Sequence, residues 1–171
     1  RELMEESQEI FIMSHEMPDL DSIGSALGLY RCARHIGKEA YIVLKESNPS
    51  VHYLISEIAK RDEYENLFIS PRNAMVRIGH NALLVVVDTH RPSFTESPDL
   101  LDLADRVVII DHHRRSAEAI ENPILSYLEP YASSASELVS EIVQYFDEKL
   151  KLKPLEADAL LAGITMDTKS F

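Results

Sequence analysis

The stretch RVVIIDHH, residues 106–113, decides the fold, because its apolar run leads without a break into an aspartate and two histidines. The stretch NALLVVVDTH, residues 81–90, has the same form and is apolar from residue 82 to residue 87. Short continuous apolar runs of this kind are typical of strands that are buried on both faces of a parallel sheet. Both stretches therefore predict buried strands that end in polar residues.

The remainder of the chain alternates strands with helices. Asp21 is a good N-cap for the first long helix and Gly37 a good residue just beyond its end, and Ser134 with Glu137 forms a capping-box pattern at a later helix. This order predicts an α/β domain with a doubly wound parallel sheet and helices on both faces. The other predicted strands are 9–15, 39–44, 66–70 and 124–130, the last at a sheet edge, and the predicted helices are 21–37, 50–61, 71–78, 133–150 and 155–168.

Charge limits the classes of partner that the chain can bind. The chain has 171 residues, which suits one domain, and its 17 basic and 29 acidic residues give a formal net charge of −12. Such a surface repels nucleic acid at long range, so duplex nucleic acid is not an expected partner. A phosphate-containing substrate would need a local attraction instead, and bound dications would provide it.

Cysteine content and hydropathy bear on the cellular setting. Cys32 is the single cysteine, which excludes an internal disulfide and a cysteine-based zinc site and predicts a buried thiol in a reducing, cytoplasmic setting. No apolar run approaches the roughly 20 residues that span a bilayer, so we expect no membrane contact by this part of the protein. Because the chain begins at Arg1 rather than at methionine, we expect a longer parent protein in which any membrane anchor lies upstream.

Polar residues follow three of the predicted strands at their carboxyl ends, and these ends meet at one edge of a parallel sheet. The predicted helix at 155–168 adds Asp167, and we therefore predict that four carboxylates and three imidazoles gather there. They are Asp19, Asp21, Asp88, Asp167, His15, His112 and His113. Four carboxylate charges balance two dications, since neutral imidazoles add no charge, so the cluster predicts a two-metal site. Mixed imidazole and carboxylate ligands favour Mn²⁺, tolerate Fe²⁺, Co²⁺ or Zn²⁺, and suit Mg²⁺ less well.

Each of these residues also has an ordinary structural explanation when it is taken alone. Asp21 could be only a helix cap, Asp88 a turn residue, His15 a solvated loop histidine, and Asp167 a surface residue of a helix. The triplet at 111–113 is harder to explain in this way, because three such residues at a strand end serve no packing purpose. Their joint occurrence at one predicted edge favours the metal site.

Four motifs together resemble the DHH phosphoesterase superfamily, which is named for the triplet at 111–113. They are HEMPDLD at 15–21, VVVDTHRP at 85–92, IIDHH at 109–113 and GITMDT at 163–168. Within the superfamily the chain most resembles the membrane-anchored cyclic-di-AMP phosphodiesterases that carry PAS and degenerate GGDEF domains ahead of the DHH domain. The resemblance implies that residues 1–171 are the DHH catalytic lobe, that a second, substrate-binding lobe is absent, and that the parent lies at the cytoplasmic face of the membrane.

The resemblance also implies a role for each predicted site residue. His15 and Asp19 would hold one Mn²⁺, Asp21, His112 and Asp167 would hold a second Mn²⁺, and Asp88 would bridge the two ions. His113 would face the scissile phosphate, and Asp111 would orient a ligand histidine, so the implied catalytic residues are His113, Asp88 and Asp111.

The implied reaction is hydrolysis of cyclic di-AMP to pApA by a hydroxide that two metal ions activate. His113 and either Arg114 or Arg115 would stabilise the developing negative charge, although the arginines also suit a solvated surface. The same site would also serve an oligoribonuclease or pAp phosphatase, and the pyrophosphatases of the superfamily fit less well. A catalytically silent module that binds metal and nucleotide is the alternative from another class. The sequence leaves a homodimer open.

Overall fold

The computed structural model describes residues 1–45 and 49–168. Its centre is a six-stranded parallel sheet with the strand order β3-β2-β1-β4-β5-β6, so the predicted doubly wound α/β fold is confirmed. The strands are β1 (Glu9–Met13), β2 (Glu39–Val43), β3 (Phe68–Ile69), β4 (Leu83–Val87), β5 (Val107–Asp111) and β6 (Leu125–Leu128). The helices are α1 (Glu2–Glu5), α2 (Leu20–His35), α3 (Pro49–Ala59), α4 (Pro71–Arg77), α5 (Pro98–Leu103), α6 (Ala135–Phe146) and α7 (Pro154–Asp167).

The sheet is buried on both faces, which explains its uninterrupted apolar strands. In β1 the side chains of Ile10 and Ile12 belong to the apolar cluster that includes α2, α6 and α7. Phe11 and Met13 belong to a second cluster that includes parts of α4 and α5. Successive side chains of a strand point to opposite faces, so a strand between two helical layers must be apolar at every position.

The start of α2 corrects one prediction. The N-cap is Asp19 rather than Asp21, because the Asp19 carboxylate accepts from the backbone N–H of Ser22 at 2.9 Å and the Ser22 hydroxyl accepts from the Asp19 N–H at 2.9 Å. Asp21 instead lies in the first turn and is fully buried. At the other end of α2, Gly37 has a φ of +75°, as expected for the residue just beyond a helix.

Helix α6 is shorter than predicted and has half of the predicted capping box. The Ser134 hydroxyl accepts from the Glu137 N–H at 3.0 Å, but the Glu137 carboxylate accepts from the backbone N–H of Ser133 at 2.7 Å rather than from that of Ser134. The short helices α1 and α5 were not predicted, since four and six residues carry too little periodicity to be recognised. Within residues 1–45 and 49–168, no helix is both long and apolar enough to cross a membrane.

Helix α2 packs closely against α6 and α7 on one face of the sheet. A Cβ atom at Gly24 would lie 2.5 Å from the carbonyl oxygen of Ala159 in α7, and a Cβ at Gly28 would lie 2.6 Å from a methyl group of Val139 in α6. Both contacts are too short for a real side-chain carbon, so these glycines allow the helices to approach. The N-terminal end of α2 and the C-terminal end of α7, which carry Asp21 and Asp167, are thereby held in register.

Candidate metal centre

The predicted ligands gather at the point where the strand order of the sheet reverses. The chain runs from β1 outward to β2 and β3, and then returns to the other side of β1 for β4, β5 and β6. The loops after β1 and β4 therefore diverge and leave a crevice beyond the carboxyl ends of the strands. The crevice is a cleft of about 670 Å³, and its lining includes His15, Asp19, Asp88, His113 and Asp167.

Residues from the loops after β1 and β4 form a first triad. The Nε2 atom of His15 lies 3.2 Å from Oδ2 of Asp88 and 3.8 Å from Oδ2 of Asp19. One ligand atom from each of the three residues lies within 4.8 Å of the others, which is a spacing that a single metal ion can bridge. Because Asp19 uses its other oxygen to cap α2, the helix start fixes the position of this carboxylate.

Asp21, His112 and Asp167 form a second triad, although they come from α2, the loop after β5 and the end of α7. The Nε2 atom of His112 lies 3.3 Å from Oδ2 of Asp167 and 3.8 Å from Oδ2 of Asp21. These three residues also satisfy the spacing of a metal site. Asp88 forms a further group of this spacing with His112 and His113, and the division of these residues between two metal ions stays a prediction.

Asp21 has a structural task besides its place in the second triad. Its two carboxylate oxygens accept from the backbone N–H groups of Ala135 and Ser136, each at 2.7 Å, at the start of α6. A helix N-terminus stabilises a negative charge in this position. Burial and the charge of Asp88 nevertheless raise the pKa of Asp21 to about 6. Asp21 thus caps α6, which is distant in sequence, whereas the sequence predicted that Asp21 caps its own helix, α2.

Asp88 lies between the two triads in an unusual backbone conformation. Its φ is +59°, in the left-handed region that aspartate and asparagine tolerate better than most residues. The Asp88 N–H donates to the carbonyl oxygen of Ile110 at 3.0 Å, which ties this turn to β5. One carboxylate oxygen approaches His15, and the other lies 3.3 Å from Nε2 of His112.

Two buried atoms at this point indicate that a cation fits the site. Oδ1 of Asp88 and Nε2 of His112 approach each other, yet neither makes a hydrogen bond of good geometry to any of the described residues. A buried polar atom without a partner costs about 1–3 kcal/mol, and a charged one costs more. A metal ion between these atoms would satisfy both, and the mixed oxygen and nitrogen donors suit a divalent transition metal.

The local electrostatics also favour an added positive charge. Burial lowers the pKa of His112, but the carboxylates around its Nε2 atom, first of all Asp88, outweigh this effect and raise the pKa to about 9. Burial likewise raises the pKa of Asp88, but His112 and His15 hold it below the usual value. The cluster therefore attracts cations, whether protons or metal ions.

Asp111 organises histidines rather than joining either triad. Its Oδ1 atom lies 2.7 Å from Nδ1 of His113, and its Oδ2 atom lies 2.6 Å from Nδ1 of His90. Burial raises the pKa of Asp111, but the hydrogen bonds from His113 and His90 outweigh it and lower the pKa to about 2. The partners of Asp111 are thus His113 and His90 rather than His112, and its role in orienting a ligand histidine stays a prediction. Successive residues at a strand end point in opposite directions, so Asp111 and His112 diverge.

His90 is the site residue that sequence reasoning missed. It is 1% exposed, and its Nε2 atom accepts from the backbone N–H of Ser116 at 2.8 Å while Nδ1 donates to Asp111. His90 therefore joins the loop after β4 to the loop after β5. Its position two residues after Asp88, at the same predicted sheet edge, was a signal that could have identified it.

Substitutions at His90 should show which of its two hydrogen bonds matters more for the site. In His90→Asn the side-chain amide can replace Nδ1 beside Asp111, whereas in His90→Gln it can replace Nε2 beside Ser116. If the site has the catalytic activity that the resemblance of the motifs implies, we expect Asn to lose less turnover than Gln, and Ala to lose roughly 10- to 100-fold, as for other residues that orient site groups. Steady-state kinetics of the three variants, alongside their thermal unfolding, test this order. Equal kcat values for Asn, Gln and Ala would contradict it.

A parallel sheet with carboxylates and histidines gathered at its switch point is the arrangement that the sequence predicted. The chain belongs to the DHH family, because residues 9–164 match the DHH family, N-terminal domain. The resemblance that the motifs suggested is therefore confirmed.

Among individual proteins, the chain is 46% identical over 173 residues to the cyclic-di-AMP phosphodiesterase GdpP of Bacillus subtilis, covering 100% of this chain and 26% of that protein. It is 44% identical over 176 residues to the cyclic-di-AMP phosphodiesterase PdeA of Listeria monocytogenes, with the same coverage. A more distant relative, the bifunctional oligoribonuclease and PAP phosphatase NrnA of Thermus thermophilus, is 28% identical over 95% of this chain and 44% of its own length. The chain thus spans about a quarter of the length of the two more similar relatives.

A solved structure supports the same fold. The exopolyphosphatase-related protein from Bacteroides fragilis superposes with a TM-score of 0.77 and 22% sequence identity, over 99% of this chain and 49% of that protein. At this level of identity the likeness concerns the fold alone.

Proposed function

We propose that the chain is the catalytic domain of a metal-dependent phosphodiesterase that hydrolyses cyclic di-AMP to pApA. The observation that carries this proposal is the pair of triads, of which His15, Asp19 and Asp88 form the first, and Asp21, His112 and Asp167 form the second. Asp88 also approaches the second triad, since its Oδ1 atom lies 3.3 Å from Nε2 of His112. The identity of 44–46% to two cyclic-di-AMP phosphodiesterases supports the choice of substrate.

The two triads would hold two Mn²⁺ ions, with Asp88 as the shared ligand. The unsatisfied Asp88 and His112 atoms and the mixture of carboxylate and imidazole donors support this assignment. When bound, a pair of dications supplies a nucleophile at neutral pH by lowering the pKa of water, and neutralises charge on the phosphate.

The chain's own residues prepare the phosphate site. Asp111 accepts from Nδ1 of His113, which leaves Nε2 of His113 as the atom that meets a phosphate oxygen. The ring of His113 lines the cleft and is about half exposed. Arg114 lines the same cleft, whereas Arg115 lines a separate hollow near β6, so Arg114 is the better candidate for stabilising negative charge on the phosphate.

The chain would be one lobe of a longer parent protein. Its coverage of 26% of GdpP and PdeA supports this proposal. We propose that the parent also carries a substrate-binding lobe and a membrane anchor, and that the DHH domain lies at the cytoplasmic face. The support for the anchor is the resemblance of the motifs to those of membrane-anchored enzymes.

A second candidate function is hydrolysis of short oligoribonucleotides or pAp, which the relationship to NrnA favours. The same metal site would serve that reaction, so the substrate distinguishes the two candidates. A silent metal- and nucleotide-binding module is less well supported, because none of the predicted ligands is missing and they converge in two triads.

A substrate panel tests the proposed function. The parent protein, stripped of metal with a chelator and then loaded with Mn²⁺, is assayed against cyclic di-AMP, pApA and pAp. We expect cyclic di-AMP to be the best substrate, pApA to accumulate, and activity to disappear with the metal. Preferential turnover of pAp would support the second candidate, and inactivity towards all three substrates would support the silent module.

A further inference from the structure

The loop that follows Asp88 places an aromatic ring in the cleft. Phe94 ends a short 3₁₀ helix, Pro92–Phe94, and the guanidinium carbon of Arg91 lies 4.0 Å from the centre of its ring. The Phe94 residue is 44% exposed, and both it and Arg91 line the same cleft as the metal triads. Met17, which is 71% exposed, contributes a second apolar side chain to this lining.

Several contacts hold the ring in place. The Arg91 guanidinium forms an ion pair with Glu118 at 3.1 Å, and the Glu118 carboxylate also accepts from the backbone N–H of Ser93 at 3.1 Å. The Phe94 carbonyl oxygen accepts from the N–H of Glu16 at 2.8 Å, directly after the ligand His15. Phe94 is thus fixed beside the first triad by backbone contacts that do not depend on its side chain.

An exposed aromatic side chain in this position contributes little to the core. An apolar ring that is half exposed gains only part of the free energy of burial, and in this cleft it is surrounded by charged groups. It does, however, offer a flat surface that a planar ligand could cover. The guanidinium of Arg91 stacks on the ring and adds a polarising charge, as in cation–π pairs that recognise nucleic-acid bases.

We propose that the Arg91–Phe94 pair is a stacking platform for one nucleobase of the substrate. This inference rests on the proposed function, since it assumes a nucleotide at the metal triads. The phosphate would lie at the metal site and the attached nucleoside would extend along the cleft to Phe94. Stacking accepts any base because every base has a π-face, so this platform would select nucleotides over simple phosphates without selecting adenine over guanine.

The test compares substrates with and without a base in the Mn²⁺-loaded parent protein. Phe94→Ala should raise the KM for cyclic di-AMP roughly tenfold, a typical loss for one stacked base, with a smaller change in kcat. Phe94→Tyr should restore the wild-type KM because it keeps the ring. Tyr131→Ala, which removes an aromatic side chain that is 97% exposed and lies outside the lining of the cleft, is the control and should change nothing.

A base-free substrate analogue distinguishes a loss of base stacking in Phe94→Ala from a general defect of that variant. For a cyclic dinucleotide with both bases removed, wild type and Phe94→Ala should have equal KM values, because no base reaches the platform. If Phe94→Ala weakens both substrates equally, or if it lowers the affinity for Mn²⁺ measured without substrate, Phe94 has only a structural role and the proposal is overturned.

The stacking platform can still be tested if the proposed function fails. If the wild-type parent hydrolyses pAp rather than cyclic di-AMP, the same comparison is made with pAp and ribose 3′,5′-bisphosphate, which differ only in the base. A KM effect of Phe94→Ala confined to pAp would support the platform although the proposed substrate had been wrong. Equal effects on both compounds would overturn the platform.

Discussion

Asp88→Asn is expected to reduce turnover of cyclic di-AMP by the Mn²⁺-loaded parent protein roughly 10⁴-fold, the order of loss found when a central catalytic group is removed. The two carboxylate oxygens of Asp88 lie 3.2 Å from Nε2 of His15 and 3.3 Å from Nε2 of His112, so the substitution would remove the proposed shared ligand of the two ions. Asparagine has the same shape and tolerates the φ of +59°, whereas alanine would add backbone strain to the loss of the carboxylate.

Metal binding and folding can be measured separately in the same variant. Without metal, Asp88→Asn should unfold at or somewhat below the temperature of the wild type, because His112 and His15 favour the ionised Asp88 carboxylate in the folded protein and asparagine carries no charge. Added Mn²⁺ should stabilise the wild type and leave the variant almost unchanged. Asp158→Asn, an exposed position on α7, is the control and should behave as wild type in both assays. Wild-type turnover by Asp88→Asn would refute the assigned role of the shared ligand.

Glu156→Ala is expected to destabilise the domain by about 3–5 kcal/mol, the usual cost of leaving a buried ion pair without one partner. The Glu156 side chain is fully buried, and its carboxylate accepts two hydrogen bonds from Arg31 Nε and Nη2, one from the Tyr64 hydroxyl and one from the Lys153 N–H. These contacts join α2 to the start of α7. Urea unfolding of the purified domain measures the loss.

A second measurement tests whether the loss of stability in Glu156→Ala comes from leaving a buried charge unpaired. Replacing both partners, Arg31→Met with Glu156→Leu, should cost far less than Glu156→Ala alone, because no buried charge is then left unpaired. Glu148→Ala removes an exposed carboxylate and should change the free energy of unfolding by less than about 0.5 kcal/mol. If the double variant is as unstable as Glu156→Ala, charge pairing is not the source of the effect.

The sequence predicted the sheet well because the pattern that indicates a buried strand lies within a few consecutive residues. Each of β4 and β5 is a run of buried aliphatic residues, and a parallel sheet between two helical layers requires such runs. The same local signal located His15, Asp88 and His112, since strand ends of one sheet share an edge. The ends of the elements were less accurate, because hydrogen bonds of individual caps such as Asp19 decide them.

Interactions between distant parts of the chain could not be predicted in this way. The partners of His90 are 21 and 26 residues away, and the backbone groups that Asp21 caps are more than 100 residues away. No spacing rule connects such positions before the helices are packed. For this reason the sequence indicated which carboxylates lie close together, but not that Asp21 also caps α6 or that Asp111 contacts His90 and His113.

The close approach of α2 and α7 at Gly24 has a consequence for protein engineering. Since the obstacle is a backbone carbonyl, that of Ala159, rather than an adjustable side chain, a larger residue at position 24 would push α2 away from α7 and shift Asp21 relative to Asp167, and with them any metal ion that the two would hold. Libraries that vary the loops after β4 and β5 would leave this contact intact. We therefore expect altered specificity to be selected from those loops, with position 24 recovered as glycine.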